Sequence, residues 1–195
     1  MIMNITENKT FEDEQFKSIK DITDVRSKSF YNCIFTDCDF TESDFSGSLF
    51  SECKFVTCNL SLVKLADTKL QEVRFEGCKV MGLDFCQANK LLMDIGFSDS
   101  HIIKCNFASL ELEETEFKNC RIYQSDFYEA ILAQADFSGS DLKDSIFENT
   151  NLKEANFKQA INYTINPLMN KVKNARFSIP DALRLLDALE IKIED

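Results

Sequence analysis

A chain of 195 residues is one domain or a repeat array, and its net charge of -11, from 33 acidic and 22 basic side chains, argues against nucleic acid and anionic membrane as direct partners. Five Gly, two Pro and no Trp mean that its turns are built from ordinary residues. The N-terminal stretch lacks a charged-then-apolar signal segment and no apolar run approaches membrane-spanning length, so a cytoplasmic location with no membrane partner is expected.

Residues 1–22 hold Phe11 and Phe16 in a mixed-charge context; they are expected either to fold as a cap over the adjoining segment or to be partly disordered. From about residue 23 a period of five sets in. Val25, in Thr23-Asp24-Val25, is its earliest member, and it runs through Phe30, Phe35, Phe40, Phe45, Phe50, Phe55, Leu60, Leu65, Leu70, Phe75, Val80 and Phe85. The phase slips by two residues across 86–91, where Lys90 occupies a position that demands an apolar side chain. It resumes at Leu92, Phe97, Ile102, Phe107, Leu112, Phe117, Ile122, Phe127, Leu132, Phe137, Leu142, Phe147, Leu152 and Phe157. From Phe30 to Phe157 all 26 positions are apolar. Neither a helix nor a strand has this period. It predicts an array over 23–161 in two subcoils, about 23–87 and 90–161, joined by a bulge or kink at 86–91.

Within each unit, with the large apolar residue at position i, the sequence reads small, polar, Phe or Leu, polar, polar. Cys33, Cys38, Cys53, Cys58, Cys78, Cys105 and Cys120 all fall at i−2, alongside Ser43, Ala135 and Ser140, so these thiols are expected to be small buried side chains and not disulfides or metal ligands. Only Cys86 departs from that row, and the single His, His101, stands at i−1 facing outward. Two inward residues per five cannot form a core alone, so units must stack and share stability with their neighbours.

After Ala160 the period is expected to stop. Asn166-Pro167 marks a turn, Pro180 fits the first position of a helix, and Ala182, Leu185, Leu186 and Leu189 share one helical face before Ile191-Lys192-Ile193 alternates as a short strand. The segment 162–195 is expected to cap the last coil. Its apolar surplus, Leu168, Met169, Phe177, Ile179, Leu185, Leu186, Leu189 and Ile191, is expected to pair two chains about a twofold axis.

Charge is uneven. Residues 92–161 hold 13 acidic and 6 basic side chains, against 9 and 6 in residues 30–91. Asp126, Asp136 and Asp141 at i−1 and Glu114, Glu129 and Asp144 at i+2 are expected to point outward as an acidic partner-binding face. In a dimer joined at the C-terminus this amounts to about one net charge per 3 Å of rod, against one per about 1.7 Å for duplex DNA. In the first subcoil, Lys54, Lys64, Lys69, Arg74 and Lys79 at i−1 read as a basic ridge.

The tandem units, with Ala135-Asp136-Phe137 and Ala155-Asn156-Phe157 among the sharpest, resemble the pentapeptide-repeat proteins. The resemblance implies an all-β fold, a right-handed quadrilateral parallel β-helix with a short C-terminal helix cap. It implies four units to a coil, about 6.5 coils, and a rod of roughly 30 Å at the strand spacing. The chain length, the one short central irregularity and the ending Ile165-Asn166-Pro167 … Ile179-Pro180 … Leu185-Leu186 … Ile191 resemble the topoisomerase-interacting group of that family, which includes Qnr-type quinolone-resistance proteins, the MfpA type and toxin-immunity proteins. Both registers run without the long loop insertions typical of many Qnr proteins. This second resemblance implies a non-enzymatic homodimer that binds DNA gyrase or topoisomerase IV and protects or inhibits it. The alternative is a protein-interaction scaffold with no topoisomerase role. No nucleophile–base pair, phosphate-binding Gly loop or metal motif is present in the sequence, so no catalysis and no cofactor are expected.

Overall fold

The computed structural model describes Ile5 and residues 8–191. Each unit contributes a very short extended segment in which position i points inward and its neighbours outward, as in Lys54–Val56 and Lys79–Met81. The chain then turns a corner. At Phe40 the carbonyl accepts a hydrogen bond from Ser43 N at 2.9 Å, and Glu42 between them has φ 60°. That left-handed conformation recurs at i+2 almost throughout, mostly on residues other than Gly. Its cost, on the order of 1 kcal/mol per residue, is offset because each corner N–H reaches the next coil, as Glu42 N does to Ser61 O at 2.8 Å.

Four corners bring the chain back above its starting point after 20 residues. All strand pairing is parallel: Thr10–Glu12, Ser29–Tyr31, Leu49–Ser51 and Lys69–Gln71 form one sheet. Gln15–Lys17, Ile34–Thr36, Lys54–Val56, Val73–Glu76, Ile95–Ser98 and Phe117–Lys118 form another. A third holds Lys79–Met81, His101–Ile103 and Arg121–Tyr123. The result is a right-handed quadrilateral β-solenoid. Its axis is filled by a continuous stack of nine rings, Phe16, Phe35, Phe55, Phe75, Phe97, Phe117, Phe137, Phe157 and Phe177, with successive centroids 4.7 to 5.3 Å apart. Phe85, Phe107, Phe127 and Phe147 stack on the opposite face and meet the first column edge-on, as Phe117 meets Phe127 at 89°. Such pairs add about 0.5–1.5 kcal/mol beyond the area they bury.

The eight steps of the nine-ring column span roughly 38 Å at the strand spacing, more than the 30 Å expected, because the coil runs past both expected boundaries. Phe11 and Phe16 are core residues, stacked on Phe30 and Phe35 across 19 residues. The first coil is one residue short between Ile19 and Thr23, so extending the phase backward from Phe30 lands on Thr10 and misses them. At the other end Val172 and Phe177 continue the second register, and Phe177 pairs with Phe157. Asn162 and Pro167 interrupt the apolar pattern there, and Tyr163 and Ile165 are buried in their stead.

Every register position from Phe30 to Phe157 is buried except Leu92, which is 71% exposed. Lys69 still pairs with Asn89, but Val73 pairs with Ile95, so the two extra residues bulge out between them. Leu91 and Leu92 point into solvent, and Met93 packs half-buried against the core instead. The C-terminal cap is a short 3-10 helix, Asp181–Leu189. Pro180 precedes it as the N-cap, one position earlier than expected, after a cis Ile179–Pro180 bond. The strand expected over Ile191-Lys192-Ile193 lies, beyond Ile191, outside the described residues.

Candidate partner-binding surface

The outward side chains sit on corners and faces whose local chemistry is fixed by the repeat. An Asp or Asn at i−1 accepts a hydrogen bond from the backbone N–H two residues on: Ser138 N to Asp136 Oδ1 at 2.9 Å, Tyr128 N to Asp126 Oδ1 at 2.8 Å, and Ala108 N to Asn106 Oδ1 at 3.0 Å. Asp and Asn do this equally well, which is why both recur. Inside the tube, hydroxyls at i−2 bridge coils. Ser145 Oγ donates to Ile122 O at 2.9 Å and accepts from Ser125 N at 3.3 Å, and Thr150 Oγ1 donates to Phe127 O at 2.9 Å. Buried Ser and Thr at i−2 are thereby satisfied.

Residues 20 apart lie one above another, so residues five apart lie on successive faces. Let the first face carry Phe117 and Phe137, the second Ile122 and Leu142, the third Phe127 and Phe147, and the fourth Leu132 and Leu152. Asp136 is then on the first face, Asp141 on the second and Asp126 on the third. Glu129 turns the corner from third to fourth, Asp144 from second to third, and Glu114 from fourth to first. The six predicted residues form no single acidic face. They wrap the rod as a collar, with Asp126, Asp136 and Asp141 in one coil. The same arithmetic corrects the basic ridge: Lys64, Lys69, Arg74 and Lys79 occupy four different faces of one coil, and only Lys54 and Arg74 share a column. Two of these cations are paired, Lys54 with Glu76 at 3.0 Å and Arg74 with Asp94 at 2.8 Å.

The collar carboxylates differ in their surroundings. Burial works against the charge of Asp136, but hydrogen bonds from Ser138 and Asn156 and the nearby Lys118 ammonium outweigh it and hold the carboxyl below its ordinary range. Lys118 is shared with Glu116, whose hydrogen bond raises the ammonium's pKa. Asp141 accepts from Tyr123 Oη and Asn162 Nδ2, each at 2.8 Å, and the Tyr123 phenol is raised by that bond. Glu129 receives Ser109 Oγ at 3.5 Å.

The i−2 cysteines are buried and free. Burial pushes the Cys105 thiol up to about 11 and the Cys120 thiol up to about 12. Cys86 is half-buried and also raised to about 11, by desolvation and by Asp84. Among the described residues no group of three His, Cys, Asp or Glu is arranged to hold a metal. At the C-terminal end, Leu168, Met169, Ile179, Leu189 and Ile191 are exposed, Leu185 and Leu186 are half-buried, and Phe177 belongs to the coil. A cavity of about 260 Å³ lies between the last coil and the helix, lined by Tyr163, Ile165, Asn166, Arg184 and Asp187. The Tyr163 hydroxyl is buried without a hydrogen-bond partner, and its phenol is raised to about 12 by burial, with Asp181 adding to it.

A parallel all-β solenoid with a five-residue unit, a filled axis and charged outer faces defines a stacked-repeat protein whose surface, and not an interior pocket, is what it presents to others. The chain belongs to the pentapeptide-repeat proteins: the family model for the pentapeptide repeat region matches residues 28–91 and 90–157. No curated protein matches it in sequence. In structure it is similar to a trypsin-treated form of QnrB1, a plasmid-mediated fluoroquinolone resistance protein, with a TM-score of 0.79, 15% identity, and 95% of this chain and 99% of that one covered. A second trypsin-treated QnrB1 gives a TM-score of 0.63 at 17% identity, covering 95% and 100%. HetL, a pentapeptide repeat protein involved in heterocyst differentiation regulation from the cyanobacterium Nostoc sp. strain PCC 7120, gives 0.59 at 14% identity, covering 85% and 84%.

Proposed function

We propose that this chain is a non-enzymatic binding partner of a type II topoisomerase, DNA gyrase or topoisomerase IV, that offers its acidic coils to the DNA-binding saddle and protects the enzyme from quinolones or gyrase-poisoning toxins, or modulates it. The acidic collar carries this reading. A duplex presents negative charge around its whole circumference, and a rod ringed by Asp126, Asp136 and Asp141, with Glu114, Glu129 and Asp144 at its corners, is closer to that than a one-sided stripe is. The likeness to QnrB1, a fluoroquinolone resistance protein, supports the same direction. In this reading the protein acts in the cytoplasm as a homodimer joined through the apolar C-terminal end, where Leu168 and Ile179 are 70% and 81% exposed. The test is a gyrase supercoiling assay with a quinolone titration, paired with a pull-down on purified gyrase. A shift in drug sensitivity or a loss of supercoiling supports the proposal; neither effect, with no capture, ends it.

The likeness to HetL favours a second reading, an interaction scaffold with no topoisomerase role. Under it, neutralising the collar leaves gyrase activity untouched because the two proteins never meet.

A further inference from the structure

The second face carries an arrangement that the acidic collar does not use. In the sheet of Lys79–Met81, His101–Ile103 and Arg121–Tyr123, the register stacks Lys79, His101 and Arg121 directly above one another. All three are exposed. Lys79 and Arg121 lie two strand spacings apart in this column, on a protein whose net charge, with His neutral, is -11. Lys104 stands at the edge of the same face, exposed. Among the described residues no ion pair within 4.0 Å engages Lys79, His101, Lys104 or Arg121. The acids around the column are engaged elsewhere or stand at its margins: Asp39, two steps below Lys79 in the same column, accepts from Thr41; Glu76 pairs with Lys54; Asp84, on the next face, accepts from Gln87; Asp99 stands at the adjoining corner; and Asp141, next above Arg121, accepts from Tyr123 and Asn162. Beside the cationic column the same register stacks Met81, Ile103 and Tyr123, all half-buried, as an apolar column on the outer surface.

We infer that this face is a docking surface for an acidic, aromatic-containing peptide segment of a protein partner. Lys79 and Arg121, without ion pairs of their own, can meet two carboxylates of an extended segment lying along the column, and the apolar column beside them gives an aromatic or aliphatic side chain of that segment a surface to cover. A polyanionic nucleic acid fits less well, because it is long and meets the acidic collar immediately above the column. A short peptide covers only the two coil steps from Lys79 to Arg121, roughly 10 Å at the strand spacing, and of the collar it meets Asp141 alone. The surface does not depend on the topoisomerase reading.

The probe is a fluorescein-labelled peptide of alternating glutamate and phenylalanine, titrated with the full chain by fluorescence anisotropy. Binding that weakens as salt rises, and that falls roughly tenfold in the double variant Lys79→Glu with Arg121→Glu but not in Lys153→Glu on the fourth face, supports the docking surface. Lys79→Gln with Arg121→Gln serves if the reversal disturbs folding, and circular dichroism melting decides which variant is read. No binding overturns the inference, as does an equal loss in Lys153→Glu. Tighter binding of a labelled DNA duplex at the same residues overturns the peptide assignment.

Discussion

The Phe97 ring lies on the Phe75 ring with centroids 4.9 Å apart and 12° between planes, although 22 residues separate the two where the pairs on either side, Phe55 with Phe75 and Phe97 with Phe117, are separated by 20. The column therefore continues straight through the irregularity, and the two additional residues are expelled. Removing Lys90 and Leu91 restores the period. Leu92 then falls above Leu70, with Met93 outside and Ile95 still inward. That deletion variant is expected to fold with an unchanged far-UV spectrum and to gain about 1 kcal/mol or more, from burial of a leucine that is now exposed. A urea midpoint lower than the parent's would mean that the bulge supports the stack.

Phe117 sits mid-column, between Phe97 at 5.3 Å and Phe137 at 4.9 Å, with Phe107 and Phe127 edge-on. Phe117→Ala opens a cavity with nothing nearby able to collapse into it, and a loss of about 3–5 kcal/mol is expected. Phe177→Ala, at the half-buried end of the same column, is expected to cost clearly less. Urea denaturation of the two variants side by side checks the ordering.

How much of this is legible in the sequence depends on whether a feature is carried by the period or by a break in it. The tube, the inward Phe row, the buried thiols and the site of the bulge all follow from the five-residue repeat. Phe11 and Phe16 are hidden by one missing residue, and Val172 and Phe177 by Asn162 and Pro167, because a period read outward from the middle fails at the first change of phase. The collar reads as a single face for a different reason. Asp136 and Asp141 look like neighbours at a spacing of five, but a quarter-turn separates them. Sorting outward residues at a spacing of 20 recovers both the collar and the Lys79–His101–Arg121 column. The orphaned hydroxyl of Tyr163 has no signal in the sequence.

That hydroxyl gives a third prediction. A buried donor with no partner costs free energy that a ring without it does not incur. Tyr163→Phe keeps the contact with Phe157, centroids 5.8 Å apart, and removes the cost. It is expected to leave stability unchanged or to raise it by about 1 kcal/mol; a fall of that size in thermal or urea unfolding would show that the hydroxyl is satisfied in solution.

The thiols set an alkaline limit. Cys86 and Cys105 are raised to about 11, and Cys58 and Cys120 to about 12, in the folded chain, with burial or neighbouring thiols as causes. Unfolded cysteines lose their protons near 8.5. At these four thiols the unfolded chain holds fewer protons than the folded one between those values, so their contribution to stability is full below about pH 8.5 and falls as pH rises toward 11 to 12; Cys33, lowered to about 7 by its hydrogen bond with Cys53, and Cys78, lowered by Cys58, act in the opposite sense below pH 8.5. Unfolding midpoints measured from pH 9 to 10.5 are expected to decline, and Cys105→Ser with Cys120→Ser to flatten the decline. In the native state at pH 8, labelling with Ellman's reagent is expected to be slow at all buried thiols.

Charge and structure can be separated at the acidic collar, because the repeat itself shows which substitutions the coil accepts. Asn106 and Asn156 cap their turns as Asp126 and Asp136 do, through the backbone N–H of Ala108 and Lys158. Asp126→Asn with Asp136→Asn therefore removes two charges and keeps both caps. Lys104 already occupies the left-handed corner position at φ 55°, so Glu114, Glu129 and Asp144, at φ 59°, 56° and 58°, tolerate reversal to Lys on backbone grounds. The five-fold variant is expected to melt within a few degrees of the parent. If the collar stands in for a duplex, gyrase binding falls by at least about tenfold, since each substitution removes a contact made around the rod and none can be replaced by rotating it. Retained gyrase affinity in a variant that melts normally would remove the collar from the interface. Loss of affinity after Glu114→Lys alone, with the other four substitutions silent, would restrict the contact to one corner and end the comparison with a duplex.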